Sequence, residues 1–266
     1  MFKKKLTVHE TSPASAKQKG EWDDTIRTII YAVILAITFR SFAYEPFHIP
    51  SSSMEDTLLI GDYVFISKYS YGYSRYSFPF SLPLFEGRIM RHPPERGDVI
   101  VFRYPINPRI DYIKRVIGLP GDRIQVKHGV VYLNGEAIPR MYDGSILKDR
   151  EDGTKERIWR YKETLPGGRT YHVLDEKPDS DPDINGFSAD NTDVYTVPEE
   201  HYFMMGDNRD NSQDSRYLDK VGFVPEVNLV GRAEIVFFSV HDTVEFASPA
   251  TWWPLLRISR FLKAID

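Results

Sequence analysis

The chain contains no cysteine among its 266 residues. That excludes disulfides, thiolate metal sites and a cysteine nucleophile, but it does not locate the protein, since exported proteins also dispense with cysteine. A large excess of charge of one sign is missing too. The formal net charge is −4 and no basic run suggests nucleic acid as a partner. The familiar hydrolase and nucleotide signatures are also absent: no G-x-S-x-G elbow, no H-E-x-x-H pair, no Walker loop. Between Pro46 and Ser248 there is no long stretch of 3.6-residue hydrophobic period.

What is present is rich in aromatics and turn formers, with Tyr 16, Phe 16, Pro 18 and Gly 17. That composition favours β-structure over a helical bundle. Beyond Pro46 short apolar runs alternate with turns: Gly61-Asp62 before YVFISKYSY, Arg96-Gly97-Asp98 before VIVFRY, and RIQVKHGVVYLNGEAI with an Asn134-Gly135 hairpin signal. Residues 141–198 are more polar, rich in Asp, Gly and Pro, and interrupt this rhythm. They are expected to form an inserted cap domain or an ordered loop.

Near the N-terminus, Thr28 to Phe39 is uncharged and apolar, ended by Arg40. A membrane helix needs about 20 residues. The segment reaches that length only if Arg40 snorkels and Phe42, Ala43 and Tyr44 are counted. The rival reading is a cleaved secretory signal with Lys3, Lys4 and Lys5 in front and Ser41-Phe42-Ala43 as its cleavage site. Either way, the bulk of the chain is exported. Lys3, Lys4, Lys5, Lys17, Lys19 and Arg27 precede the segment against Arg40 just after it, which sets the N-terminus in the cytoplasm.

Two segments carry unusual chemistry, His48-Ile49-Pro50-Ser51-Ser52-Ser53-Met54 and Asp111-Tyr112-Ile113-Lys114-Arg115. On a strand Tyr112, Lys114 and Val116 share one face and Arg115 takes the other. Desolvation there favours the neutral amine, which can take the proton of a serine hydroxyl. Taken alone, a Ser-rich loop and a solvated strand lysine explain the same residues.

The ordered set PSSSM (50–54), GDYVFISK (61–68), RGDVIVF (96–102), DYIKRVIGLPGD (111–122) and GDNRDNSQDSR (206–216) resembles the boxes of bacterial type I signal peptidases. The resemblance implies a mostly β protein, an antiparallel catalytic core with a smaller inserted domain behind one transmembrane helix. Its parts are a cytoplasmic tail at 1–24, an anchor at 25–45, the core at 46–140 and 199–248, and the insertion at 141–198. Apart from the resemblance, Arg257, Arg260 and Lys263 at spacing three, with Trp252, Leu255, Leu256, Ile258 and Leu262 around them, make 249–266 either an interfacial helix or a segment packed against the body. The resemblance favours a retained anchor over a cleaved signal.

It further implies Ser53 as nucleophile and Lys114 as general base. Ser51 is implied as an oxyanion donor beside the Ser53 backbone N–H. Ser212 is implied to orient the lysine, and Asp214, Arg209 and Arg216 to form a supporting ion-pair network. Ile49, Pro50, Met54, Leu58, Tyr112 and Ile113 are expected to line shallow pockets for small side chains. The partners implied are signal peptides of exported preproteins and the lipid bilayer. Neither metal nor cofactor is implied, and the protein is expected to be monomeric, on the outer side of the inner membrane.

Three departures stand out. Asp56 replaces the family's usual proline and is expected to point to solvent, away from Lys114. Only one apolar span is visible where many members have two, and the inserted-domain disulfide of some members is impossible here. Outside the boxes, Phe78 to Phe85 is either core or a lipid-contacting stretch. Asp181 to Gly186 copies half a calcium loop without its twelfth-position Glu, leaving an acidic turn as the default. Competing functions are a self-cleaving repressor-type Ser/Lys protease, which lacks an anchor, and a non-catalytic membrane-anchored β-domain that binds or assembles other proteins.

Overall fold

A computed structural model describes residues 13–149, 153–176, 189–241 and 255–265, with backbone only at 13–21, 23 and 149. The half calcium loop at 181–186 lies outside the described residues. The chain divides into Met1–Arg40 and Ser41–Asp266.

The first unit is built on helix α1, Pro13–Phe42. Its stretch Asp24–Phe42 is 19 residues long and apolar on all sides, with Tyr31, Leu35 and Phe39 exposed. A helix that is hydrophobic all round and almost wholly exposed along that stretch suits a lipid environment. At 1.5 Å per residue it spans roughly 28 Å, close to a bilayer's hydrocarbon core. Tyr44 already belongs to the first strand, so the helix ends earlier than the expected anchor.

The second unit is almost all β. Its largest sheet is antiparallel, in the spatial order Tyr44–His48, Asp62–Ser67, Leu229–Ser239, Val99–Arg103, Asp111–Gly118, His201–Met205 and Val224–Pro225, with Lys263–Ala264 also on Leu229–Ser239. A three-stranded sheet, Arg140–Asp149, Lys155–Thr164 and Thr170–Asp175, fills much of the insertion. Val130–Leu133 turns into Glu136–Ala137 through Asn134-Gly135, both with positive φ (54° and 92°), which is the twist a two-residue hairpin requires.

Lys114 lies on a central strand, opposite Ile100 on one neighbour, and Arg115 stands opposite Met205 on the other. The chain leaves that second neighbour at Gly206, so sheet register delivers the whole 206–216 loop beside Lys114. Residues 49–61 form a loop closed at its base by Ile49 N–H to Asp62 O and Gly61 N–H to Ile49 O. Ile49, Met54 and Leu58 are fully buried with Val64, Val99 and Ile113 and sink this loop into the core. The expectation that these three line the substrate pocket is therefore corrected. They are the apolar anchors that hold Ser53 in place from below.

Two further expectations change. Where described, the C-terminal segment includes a 3-10 turn, Ile258–Arg260, and the Lys263–Ala264 strand on the large sheet, which fits packing against the body and not an interfacial helix. Arg260 bonds both carboxylate oxygens of the buried Asp62 and Arg257 approaches it to 3.7 Å, so the basic positions turn inward. Within the 78–85 stretch Phe80 is 96% exposed, with Leu82 and Leu84 also exposed, which removes the core reading.

Candidate active site

Ser53 and Lys114 meet although 61 residues separate them. Lys114 Nζ lies 2.6 Å from Ser53 Oγ, and also bonds the carbonyl of Ile113 at 3.0 Å. Both side chains are buried, at 7% and 4% exposure. The Tyr112 ring stands 5.4 Å from the amine, on the same face of the strand.

Burial lowers the Lys114 pKa from 10.5 to about 8. The negative charges of Asp214 and Asp207 pull it back up, and Arg216 pushes it further down. At pH 7 about a tenth of the population then carries a neutral amine. The lysine donates to Ser53 Oγ while charged; once neutral it has a lone pair aimed at the serine proton.

The loop after Gly206 frames this pair. Asn208 N–H donates to the Ser53 carbonyl at 3.1 Å, and the Asn208 side chain donates to the Ser52 carbonyl at 3.1 Å. Gly206 packs so closely that a Cβ there would fall 2.2 Å from Ser212 Oγ and 2.5 Å from the Ser53 carbonyl. Ser212 Oγ is buried with no hydrogen-bond partner, though it lies near enough to Asp214 for its dipole to favour the ionised carboxylate. A buried hydroxyl left open in the wall of a cavity is a group free to meet a substrate or an amine.

Asp214 and Arg216 form a buried pair at 2.9 Å. Burial alone would raise the Asp214 pKa, but Arg216, together with the Gly206 N–H, holds it below the ordinary value. Arg209 does not join this pair through its guanidinium. It reaches Glu163 of the inserted sheet at 2.5 Å, and only its main-chain carbonyl accepts from Arg216. The expected ion-pair network of Asp214, Arg209 and Arg216 thus divides into two buried pairs, Asp214–Arg216 and Glu163–Arg209. A third was missed by sequence reasoning: Arg115, on the strand face opposite Lys114, makes a two-pronged bond to Asp207, which also accepts from Thr57 at 2.6 Å.

A cavity of about 610 Å³ opens over the pair. Ser51, Ser53, Lys114 and Ser212 reach it, and of the expected pocket residues Pro50, Tyr112 and Ile113 line it. Ser51 Oγ stands 3.5 Å from Ser53 Oγ, exposed at the rim. Phe47, Asp210 and Gln213 were not anticipated. Gln213 Oε1 accepts from the Tyr112 hydroxyl at 2.8 Å and so ties the wall to the strand that carries Lys114. Asp210 is pushed up to about 7, by burial and then by the neighbouring Asp175. Among the described residues no cluster of three or more His, Cys, Asp or Glu could hold a metal.

Asp56, expected to point to solvent, instead faces the inserted sheet. Its carboxylate pairs with Arg160 at 3.1 Å and its φ is 85°. Proline, fixed near −65°, could not occupy that backbone.

A family model described as "Signal peptidase, peptidase S26" matches residues 22–238. The signal peptidase I of Rickettsia massiliae (strain Mtu5) is 42% identical over 249 residues, 93% of this chain and 86% of its own. That of Rickettsia typhi (strain ATCC VR-144 / Wilmington) is 44% identical over 229 residues, 84% and 80%. The chain belongs to the S26 signal peptidase family. As a member it is a serine endopeptidase of signal-peptide processing. A crystal structure of a signal peptidase I from Enterococcus faecalis V583 is 25% identical, covering 53% of this chain and 97% of that one, with a TM-score of 0.30.

Proposed function

We propose that this S26 peptidase is a membrane-anchored signal peptidase working through Ser53 as nucleophile and Lys114 as general base. The observation that carries the reading is the 2.6 Å separation of Nζ and Oγ, with the amine desolvated and held at about 8. The neutral amine takes the Ser53 proton as Oγ attacks the scissile carbonyl. The ammonium then protonates the departing amine, which leaves an acyl-serine. A water, deprotonated in turn by Lys114, hydrolyses that ester and frees Ser53.

Ser51 Oγ, at the cavity rim, would donate to the oxyanion beside the Ser53 N–H. Ser212, open and buried, would accept from or donate to the lysine amine and fix its direction. Pro50, Tyr112 and Ile113 line the cavity and would contact the small side chains of a small-x-small site. The strand Tyr44–His48 ends the large sheet, and its Phe47 reaches the cavity, so an extended substrate would add its backbone there. Helix α1 would hold the body at the outer face of the bacterial inner membrane, with the basic N-terminal tail in the cytoplasm. The exposed Phe80, Leu82 and Leu84 would meet the lipid surface.

The test is to incubate the purified full chain in detergent with a preprotein and sequence the new N-terminus of the product. Cleavage after a small residue is expected from the parent chain and none from Ser53→Ala or Lys114→Ala. Normal cleavage by either variant would refute the assignment.

A further inference from the structure

The loop that carries Ser53 is held from two sides, and one side is the inserted sheet. Beyond Met54 the chain places two acidic side chains in succession, Glu55 and Asp56, and both reach residues of that sheet. Glu55 Oε2 lies 2.6 Å from Lys148 Nζ on the Arg140–Asp149 strand. The same oxygen accepts from Asn208 Nδ2 at 3.3 Å, and Asn208 is the residue that grips the Ser52 and Ser53 carbonyls.

Asp56 sits at φ 85°, where an L-residue stays only if its surroundings over-determine it. Those surroundings are again the inserted sheet. Arg160 reaches both Asp56 oxygens, at 3.1 and 3.2 Å, and His172 Nδ1 lies 3.6 Å away. Asp143 ties the two together from the far side, at 2.8 Å from His172 Nε2 and 3.6 Å from an Arg160 nitrogen.

Resting on the reading of Ser53 as nucleophile, we infer that the inserted three-stranded sheet is a positioning element, with Arg160 and Lys148 as positioning residues that set the Ser53 loop through Asp56 and Glu55. Neither touches the reacting atoms. The sheet does not need these contacts in order to dock, because its Glu163 is already bound to Arg209 in a fully buried pair. Loss of the Asp56 and Glu55 contacts should therefore loosen the serine and leave the sheet in place. Thr57, the next residue, bonds Asp207, so the segment has one fixed end in the core and one set by the insertion. A loop free to relax at Asp56 would carry Oγ out of line with Nζ, and small misplacements of a nucleophile cost rate far more than binding.

The experiment uses the full chain and a preprotein substrate, with Asp56→Asn, Arg160→Gln, their double variant, Arg160→Lys and Lys148→Gln. Asparagine tolerates positive φ, so Asp56→Asn removes the charge and keeps the turn. Each of Asp56→Asn and Arg160→Gln is expected to lower kcat about tenfold with KM within about twofold, since a misplaced Oγ weakens the transition state and leaves substrate binding nearly unchanged. The double variant should be no worse than either single, and Arg160→Lys should keep most of the rate. Lys148→Gln, at a half-exposed site that folding does not require, should lose about threefold. Singles within twofold of the parent, losses that multiply in the double variant, or an unchanged Lys148→Gln would overturn the inference. An inert parent chain would instead sink the underlying assignment of function.

Discussion

The main-chain N–H of Asn208 donates to the main-chain carbonyl of Ser53 at 3.1 Å, which fastens the loop after the His201–Met205 strand to the residue proposed as nucleophile. Lys114 approaches the same serine from the adjacent strand. Three chain segments far apart in sequence thus converge on one hydroxyl, each held by backbone bonds that do not depend on solvent.

Gly206 is the narrowest point of this convergence. A methyl group there would overlap both Ser212 Oγ and the Ser53 carbonyl, and neither belongs to a side chain that can swing far. Gly206→Ala is expected to lower kcat at least a hundredfold and to reduce the melting temperature, as measured by steady-state cleavage and thermal unfolding. Wild-type kcat in this variant would mean that the loop yields freely.

Asp214 attracts charge onto Lys114 and so raises its pKa. Asp214→Asn should therefore move the acid limb of the activity profile to lower pH. It also leaves Arg216 buried and unpaired, which costs about 3–5 kcal/mol of stability. The two effects are separable by a pH–rate profile and denaturant unfolding, and an acid limb moved to higher pH would contradict the electrostatic account.

Asp210 titrates near 7 but toward Asp175, and it is not among the charges that act on Lys114. Asp210→Asn should leave the limb near pH 8 in place. A displaced limb would make Asp210 part of the proton path.

The low pKa of Lys114 is itself a cost. An amine at about 8 when folded and 10.5 when unfolded destabilises the fold in full below pH 8, by about 3 kcal/mol, and the penalty fades as pH rises from 8 to 10.5. Lys114→Met should abolish cleavage and yet unfold later than the parent in urea at pH 7, with the advantage shrinking by pH 10. An inactive variant that is also less stable at pH 7 would show that burial of the amine is not strained.

Much of this was legible in the chain alone, because Ser53 and Lys114 lie in boxes whose order is distinctive and because strand alternation separates Lys114 from Arg115. The Asn134-Gly135 hairpin was legible for the same local reason. Partner choice was not. Arg209 selects Glu163, 46 residues away, over the nearby Asp214, and Arg115 selects Asp207 across 92 residues. Such pairings are decided by how sheets meet, which no local spacing encodes. Ile49, Met54 and Leu58 misled for a related reason: apolar neighbours of a nucleophile line a pocket or anchor a loop according to which way the loop faces. Arg257 and Arg260 carry helical spacing, but a buried Asp62 drew them inward.

The central measurement is the pH dependence of kcat/KM for preprotein cleavage, which reports the ionisation of the free enzyme. A single ionisation with a midpoint near pH 8, the rate rising tenfold per unit below it and levelling above, is the expected result. A rate independent of pH between 6 and 9, or a midpoint near the ordinary lysine value, would contradict a desolvated Lys114 acting as the base.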